Sequence, residues 1–360
     1  VHYGCCNANV PGKEGSLMQR WHNLPKYLEL VLNNGVDPLT GEQMGPQTGD
    51  PKVFGSMDEL LQALNLQIRH AMEADRARHP LLPTQDSRCS FTVESIFLED
   101  CIENGREWRL GGTKYWHKSQ HAAGIATIAD SLAAIQQMVF KSGALTLEEL
   151  RDVLNANFEG HEPLRQRLCN RCPKYGNDDD GMDSLAVKVA NMFCDEVVRC
   201  NKTPHTIRFW PEIYTYHTNR RLGTELGATP DGRRRGESIS ENQSPSYGTD
   251  LKGATACLRS MSKLPLHRTP GGGTNLKLHP SAVMGEKGLD TISDLLKTYF
   301  KLGGQHLQLN IVDGATLREA QQRPDEYRTL SVRVVGYSAY FVTLSKQAQD
   351  DLILRTEHSI

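Results

Sequence analysis

The sequence predicts an α/β fold with a barrel-like sheet, and three observations predict it. Runs with apolar residues at three- and four-residue spacing alternate with short β-branched and aromatic runs, as when helices cross over between strands. With 360 residues and 38% apolar content, the chain can bury a large core as one big domain or two of ordinary size. No apolar run approaches the ~20 residues of a membrane span.

The elements follow in order. Val1 to Gly15 is rich in Gly, Asn and Pro without an apolar period, which predicts a loop or strand tip carrying Cys5 and Cys6. Leu24, Tyr27, Leu28, Val31 and Leu32 keep helical spacing up to a stop at Asn34-Gly35. After a Gly- and Pro-rich loop over 37–50, Ser56 caps a helix from Met57 to Arg78. A further helix is predicted over Phe91–Glu103. A Gly111-Gly112 turn leads to an aromatic segment, Lys114–His117, and then to a long helix from His121 to Lys141. Thr146-Leu-Glu-Glu149 is a capping box that opens another helix. Arg171–Asp180 reads as an exposed loop before a helix over Met182–Cys200, and Thr206–Tyr216 reads as a strand.

Residues 223–253 are loop-like, and a composition shift near 230 divides the chain into 1–230 and 231–360. The last third predicts a flexible turn at Gly271-Gly272-Gly273, helices over 289–301 and 315–323, a strand His306–Val312, and a closing helix from its N-cap Ser345 to Thr356. Before that helix, Val332–Val342 reads as a strand or a tight finger-like loop with Gly336 inside an apolar run. An interior glycine weakens pairing and marks a bulge or the close approach of another backbone.

Composition bounds the function. The 41 basic and 43 acidic residues leave a net charge of −2, with no electrostatic footprint for nucleic acid or an anionic membrane. The triplet Arg233-Arg234-Arg235 reads as a solvated turn. Nine cysteines, an odd number scattered without a secretory signal, predict reduced thiols in a cytoplasmic setting. Adjacent Cys5 and Cys6 cannot reach ordinary disulfide geometry without strain, so each is either a buried inert thiol or one presented to a substrate. Cys169-x2-Cys172 has the spacing of half a zinc site, which His161, Cys194 or Cys200 would have to complete; without a second regular pair no metal site is assigned. Gly336 has two readings, a bulge glycine or a backbone radical centre. A glycine Cα has no side chain to hinder planarity, and its unpaired electron spreads over the flanking amides.

Arg333-Val-Val-Gly336-Tyr337, followed by a closing helix that ends Ile353-Leu-Arg-Thr-Glu357-His, resembles the C-terminal signature of glycyl radical enzymes. Leu24–Asp37, Gly41–Asp50, Gly111–Tyr115, Ala129–Ala133, Gly227–Arg234 and Ser262–Pro265 also resemble segments of that family, so the resemblance covers essentially the whole chain. It is greater toward the dehydratase and choline-lyase group than toward pyruvate formate-lyase proper. The resemblance implies the C-terminal part of a ten-stranded α/β barrel, with a cysteine finger loop in 1–230 and a glycyl radical finger loop in a glycine radical domain, 231–360. Full-length members have several hundred residues before the cysteine finger, so a partial sequence of a longer enzyme is expected.

What the resemblance implies for function is a radical lyase of anaerobic metabolism. Gly336 would store the radical and Cys5 would carry the thiyl, with Cys6 as the alternative or second thiol. Arg333, Val334 and Tyr337 would be recognised by an activating enzyme that uses S-adenosylmethionine and an iron–sulfur cluster. No permanently bound cofactor is implied, and a small-molecule substrate and a homodimer of the full-length enzyme are expected. Two departures stand out. Resembling dehydratases usually place a glutamate, as general acid/base, two residues after the cysteine, where this chain has Asn7; and they usually have a smaller residue at Val335. The Cys5-Cys6 pair keeps open a formate C-acetyltransferase reading, and a non-catalytic remnant or spare radical domain is a third.

Overall fold

The computed structural model describes residues 2–3, 7–78, 92–202 and 207–358. Two short strands, β1 (His2–Tyr3) and β2 (Asn7–Ala8), pair antiparallel. Strands β3 (Glu14–Asn23), β4 (Tyr115–Ala123) and β5 (Arg208–Ile213) then form a parallel sheet in that order. Parallel strands need long crossovers. Those here are helical: α1 (Leu24–Leu32), α2 (Met57–Ala77) and the short α3 (Thr92–Ser95) lie between β3 and β4. Between β4 and β5 come α4 (Ile125–Ile135), α5 (Leu147–Asn155), α6 (Glu162–Arg171) and α7 (Asp180–Cys200).

After β5 come α8 (Asn219–Thr224), a long connection, α9 (Ala254–Ser262), β6 (Asn275–Leu278), α10 (Gly285–Lys301), β7 (Gln308–Ile311) and α11 (Gly314–Gln322). A hairpin of β8 (Ser331–Arg333) and β9 (Ser338–Tyr340) follows, then α12 (Lys346–Leu354) and β10 (Glu357–His358). β6 lies between β10 and β7 in a second parallel sheet, and a parallel bridge from Ile213 to Gly272 links it to the first. Among the described residues the α/β architecture is thus two three-stranded parallel sheets and two hairpins.

The main core lies where the helices cover the first sheet. Every residue of α4 is buried, and this helix packs between α1 and α7. A separate apolar cluster, with Leu317, Val332, Val334, Phe341 and Leu352, holds the β8–β9 hairpin to α11 and α12. The cap signals act as read: Ser56 accepts from the Glu59 amide, Thr146 and Glu149 form the reciprocal box, and Ser345 accepts from the Ala348 amide. Among the described residues no helix is long and apolar enough to cross a membrane.

Several expectations are corrected. Phe91 lies outside the described residues, and beyond α3 the rest of the 91–103 segment is turns; Ile96, Phe97 and Ile102 are exposed, so no core face supports a helix there. The predicted helix from His121 instead begins at Ile125, because residues 117–121 alternate between two faces of β4. Gly271-Gly272 is a buried bridging segment, not a flexible turn. Arg233 is buried rather than solvated, donating to the Glu237 and Leu226 carbonyls across its loop. Tyr175, in the segment read as an exposed loop, is fully buried.

On the helix-facing side of β4, the Asp75 carboxylate of α2 accepts from Lys118 Nζ at 2.9 Å and from Gln120 Nε2 at 3.0 Å. Both partners are buried, so removing the carboxylate strips the buried ammonium of its counter-ion. Asp75→Ala is expected to cost about 3–5 kcal/mol, measured by urea unfolding.

Candidate active site

Side chains of a strand alternate between its faces, and the face of β3–β5 away from the helices is polar. It carries Glu14 from β3, His117, Ser119 and His121 from β4, and Trp210 and Glu212 from β5. The contacts establish the face. The His117 ring stacks on Trp210 with centroids 3.8 Å apart, and its Nδ1 lies 3.3 Å from Glu14 Oε1. Burial lowers the His117 imidazole to a pKa of about 4, so it is neutral at pH 7.

Glu212 is the most heavily engaged group there, at 2% exposure. The Asn7 amide donates to both carboxylate oxygens, at 3.0 and 2.9 Å. Ser119 donates its hydroxyl to Oε1 at 2.8 Å, and His121 Nε2 lies 3.2 Å from Oε2. Burial pushes the Glu212 carboxyl up to about 7; the Ser119 and Asn7 bonds oppose that rise and the neighbouring Glu14 adds to it. His121 is fully buried and lowered by burial to about 3, hence neutral.

The strand β2 that presents Asn7 is stitched to the glycine run. Ala8 N donates to Pro270 O at 2.9 Å, and Asn7 bridges Gly271. A Cβ at Gly271 would stand 3.0 Å from Asn7 Nδ2 and 3.1 Å from the Glu212 carboxylate, so the close approach requires glycine. Gly271→Val is expected to displace Asn7 from Glu212 and to destabilise the protein by about 1–3 kcal/mol, read from the unfolding midpoint.

Gly336 lies in the turn of the β8–β9 hairpin with φ +72°, a left-handed conformation open to glycine at little cost. Its N–H donates to Gln308 Oε1 at 2.8 Å, and the same oxygen accepts from Arg333 Nε at 2.8 Å. Asn310 clamps the Arg333 backbone from both sides, donating to its carbonyl at 2.6 Å and accepting from its N–H at 2.7 Å. Arg355, paired with Glu241 at 2.8 Å, donates to the Arg333 and Val334 carbonyls. The turn is therefore held by side chains from β7 and from the segment after α12.

The hairpin reaches the polar face. Val335 packs on Tyr214 and Tyr216 just beyond β5, and Tyr337 lies beside Tyr216 with ring centroids 6.2 Å apart. Tyr214 in turn lies 5.5 Å from the His121 ring. Contacts thus run from Val335 through Tyr214, His121 and Glu212 to Asn7, the residue that follows Cys6.

Of the predicted site residues, Cys5 and Cys6 lie outside the described residues. Gly336 is half-buried in its turn, Val335 and Val334 are buried, and Arg333 and Tyr337 reach the surface in part. Cys169 contacts the Gly232 carbonyl, while Cys172, Cys194 and Cys200 are buried. The groups whose ligand atoms converge on one point among the described residues are Asp250–Cys257–His358 and Asp178–Asp180–Asp183, the latter already paired with Lys263. Sequence reasoning missed Glu14, His117, Ser119, His121, Glu212 and Gln308. The one visible signal was Glu212 itself, a carboxylate inside the run Phe209-Trp-Pro-Glu-Ile-Tyr214.

Comparisons with known proteins place the chain in a family. The family model for pyruvate formate lyase-like proteins matches residues 1–223, and that for the glycine radical matches residues 239–342. Trans-4-hydroxy-L-proline dehydratase of Clostridioides difficile is 36% identical over 99% of this chain and 45% of its own length. (2S)-3-sulfopropanediol dehydratase of Klebsiella oxytoca is 36% identical over 98% of this chain and 44% of its own. Among solved structures, the glycerol-bound B12-independent glycerol dehydratase of Clostridium butyricum superposes with a TM-score of 0.90 at 36% identity, over 99% of this chain and 45% of that one. The chain spans about half the length of the curated relatives it matches. With both family models and relatives along nearly its whole length, the chain belongs to the glycyl radical enzymes of the pyruvate formate lyase-like family.

Proposed function

We propose that this chain supplies the thiol-bearing and radical-storing part of a glycyl radical lyase that breaks a C–O bond in a small hydroxylated metabolite. The observation that carries the reading is Gly336 in a clamped, left-handed hairpin turn whose neighbour Val335 packs on the same strand end that presents Glu212 to Asn7. In this reading a radical activating enzyme, using S-adenosylmethionine and an iron–sulfur cluster, takes a hydrogen atom from Gly336. The radical passes to Cys5, or to Cys6, and the thiyl takes a hydrogen atom from a substrate carbon. The reaction runs in an anaerobic, reducing cytoplasm.

The dehydratase names of two relatives at 36% identity support C–O cleavage over other bonds. The test is turnover by the natural protein that contains this chain, activated anaerobically, with glycerol, 1,2-propanediol and trans-4-hydroxy-L-proline as probes. Water loss from at least one is expected. A radical-bearing enzyme that dehydrates none of them contradicts the C–O assignment.

The adjacent thiols favour a second reading, formate C-acetyltransferase activity, in which one cysteine attacks a keto acid and the other relays the radical. Release of formate and acetyl-CoA from pyruvate and coenzyme A by the activated protein would establish it in place of dehydration.

A further inference from the structure

Glu212 is a buried carboxylate that packing does not require. Its strand neighbours Phe209 and Ile213 are fully buried apolar residues, and among the described residues no lysine or arginine pairs with it. Burying an acid group costs several kcal/mol unless hydrogen bonds compensate, and such groups concentrate where proton transfer is needed. Three elements converge on this one: Asn7 from β2, Ser119 and His121 from β4, and the Gly271 backbone, which leaves out a side chain to let them meet.

Asn7 occupies the position, two residues after Cys5, where resembling dehydratases carry a glutamate. Its amide is 2.9–3.0 Å from both Glu212 oxygens. A glutamate at position 7 would place a second acid group against the first, and two carboxyls that close cannot both ionise. In this chain the pair holds one carboxylate, that of Glu212, with an amide opposite it. We propose that Glu212 is the proton-transfer group of this site, with Asn7, the residue that follows Cys6 in the sequence, as the residue that positions it.

The proposal rests on the radical-lyase reading above. After the thiyl has taken a hydrogen atom from a carbon that bears a hydroxyl, or in hydroxyproline the ring nitrogen, the Glu212 carboxylate accepts the proton of that hydroxyl or nitrogen. The electron density released expels the neighbouring hydroxyl group, and Glu212 returns the same proton to it, so that water leaves and the carboxylate is restored; the product radical then takes a hydrogen atom back from the thiol, which regenerates the thiyl. No oxidant or reductant is consumed. Asn7 is half-buried while Glu212 is buried, so of the two side chains it is the amide that reaches solvent. The titratable groups that face Glu212 are His121 and, more distantly, Glu14; His121 stays neutral at pH 7, so the group that gains and loses a proton near neutrality is Glu212, and its ionised form is the acceptor.

The experiment compares three forms of the natural protein, activated anaerobically and assayed with the same three probes: the wild type, Glu212→Gln, and the double variant Asn7→Glu with Glu212→Gln. Glu212→Gln is expected to keep the glycyl radical signal and to lose about 10²–10⁴-fold in kcat/KM, the range for a proton-transfer residue. It should also lose the rise of kcat/KM with pH near neutrality. The double variant, which moves the carboxylate to position 7, is expected to regain turnover. Activity of Glu212→Gln within threefold of wild type overturns the proposal, as does loss of its radical signal, which would make Glu212 a structural residue.

An infrared titration decides the matter without turnover. A carboxylic acid band present below pH 7, fading as the pH rises through 7 and missing in Glu212→Gln, is expected. A Glu212 ionised throughout pH 5–9 refutes the assignment. A wild type that forms no radical contradicts the lyase reading instead, and the infrared result then still judges Glu212.

Discussion

Gly336→Ala is expected to abolish both the organic radical and turnover in the activated protein, while leaving the fold in place. At φ +72° an alanine pays a steric cost of about 1–2 kcal/mol, which the clamps from Gln308, Asn310 and Arg355 can absorb. Its methyl group hinders the flattening of the Cα that a delocalised backbone radical requires. The expected outcome is therefore a folded protein, by circular dichroism and a thermal midpoint within a few degrees of wild type, with no radical signal and no product. A Gly336→Ala variant that still turns over places the radical elsewhere.

In the proposed reading, Cys5→Ser and Cys6→Ser are expected to separate storage of the radical from its use. A serine O–H bond is too strong to exchange a hydrogen atom with a glycyl or carbon radical, whereas a thiol S–H bond is of comparable strength to both. Cys5→Ser is expected to accumulate the Gly336 radical on activation and yet form no product. Cys6→Ser is expected to keep turnover close to wild type in a dehydration assay. Loss of turnover in both variants, with formate released from pyruvate by the wild type, supports the acetyltransferase reading in which both thiols work.

Much of the helical layer was legible because its signals are local. Ser56, Thr146 and Ser345 announce their helices through caps that form as expected, and the apolar period of Leu24–Leu32 survives because α1 is buried almost all round, with its two charged residues, Lys26 and Glu29, paired with each other. The strands that position the site were far less legible. β3 and β4 were missed or misread because their non-helical face carries Glu14, His117, Ser119 and His121 while the helix-facing side of β4 carries Lys118 and Gln120, so neither reads as an apolar run. Pairing between β6 and β10, some 80 positions apart, has no local signal at all.

The site divides in the same way. Gly336 stood out as a glycine in an apolar run, yet its clamps from Gln308, Asn310 and Arg355 come from segments that only the fold brings together. Asn7 stood out only as a departure from a resemblance. Its physical sense appears once Glu212, 205 positions away, is seen beneath it.

The identity of the radical centre is tested most directly by electron paramagnetic resonance of the natural protein, activated anaerobically after growth on ordinary or [2,2-²H₂]glycine. A glycyl radical retains one α-hydrogen, whose coupling splits the signal into a doublet. The expected result is a doublet that collapses to a single narrower line on deuteration and is missing from Gly336→Ala. A doublet that survives deuteration, or no signal from fully activated protein, contradicts the assignment of Gly336 as the radical store.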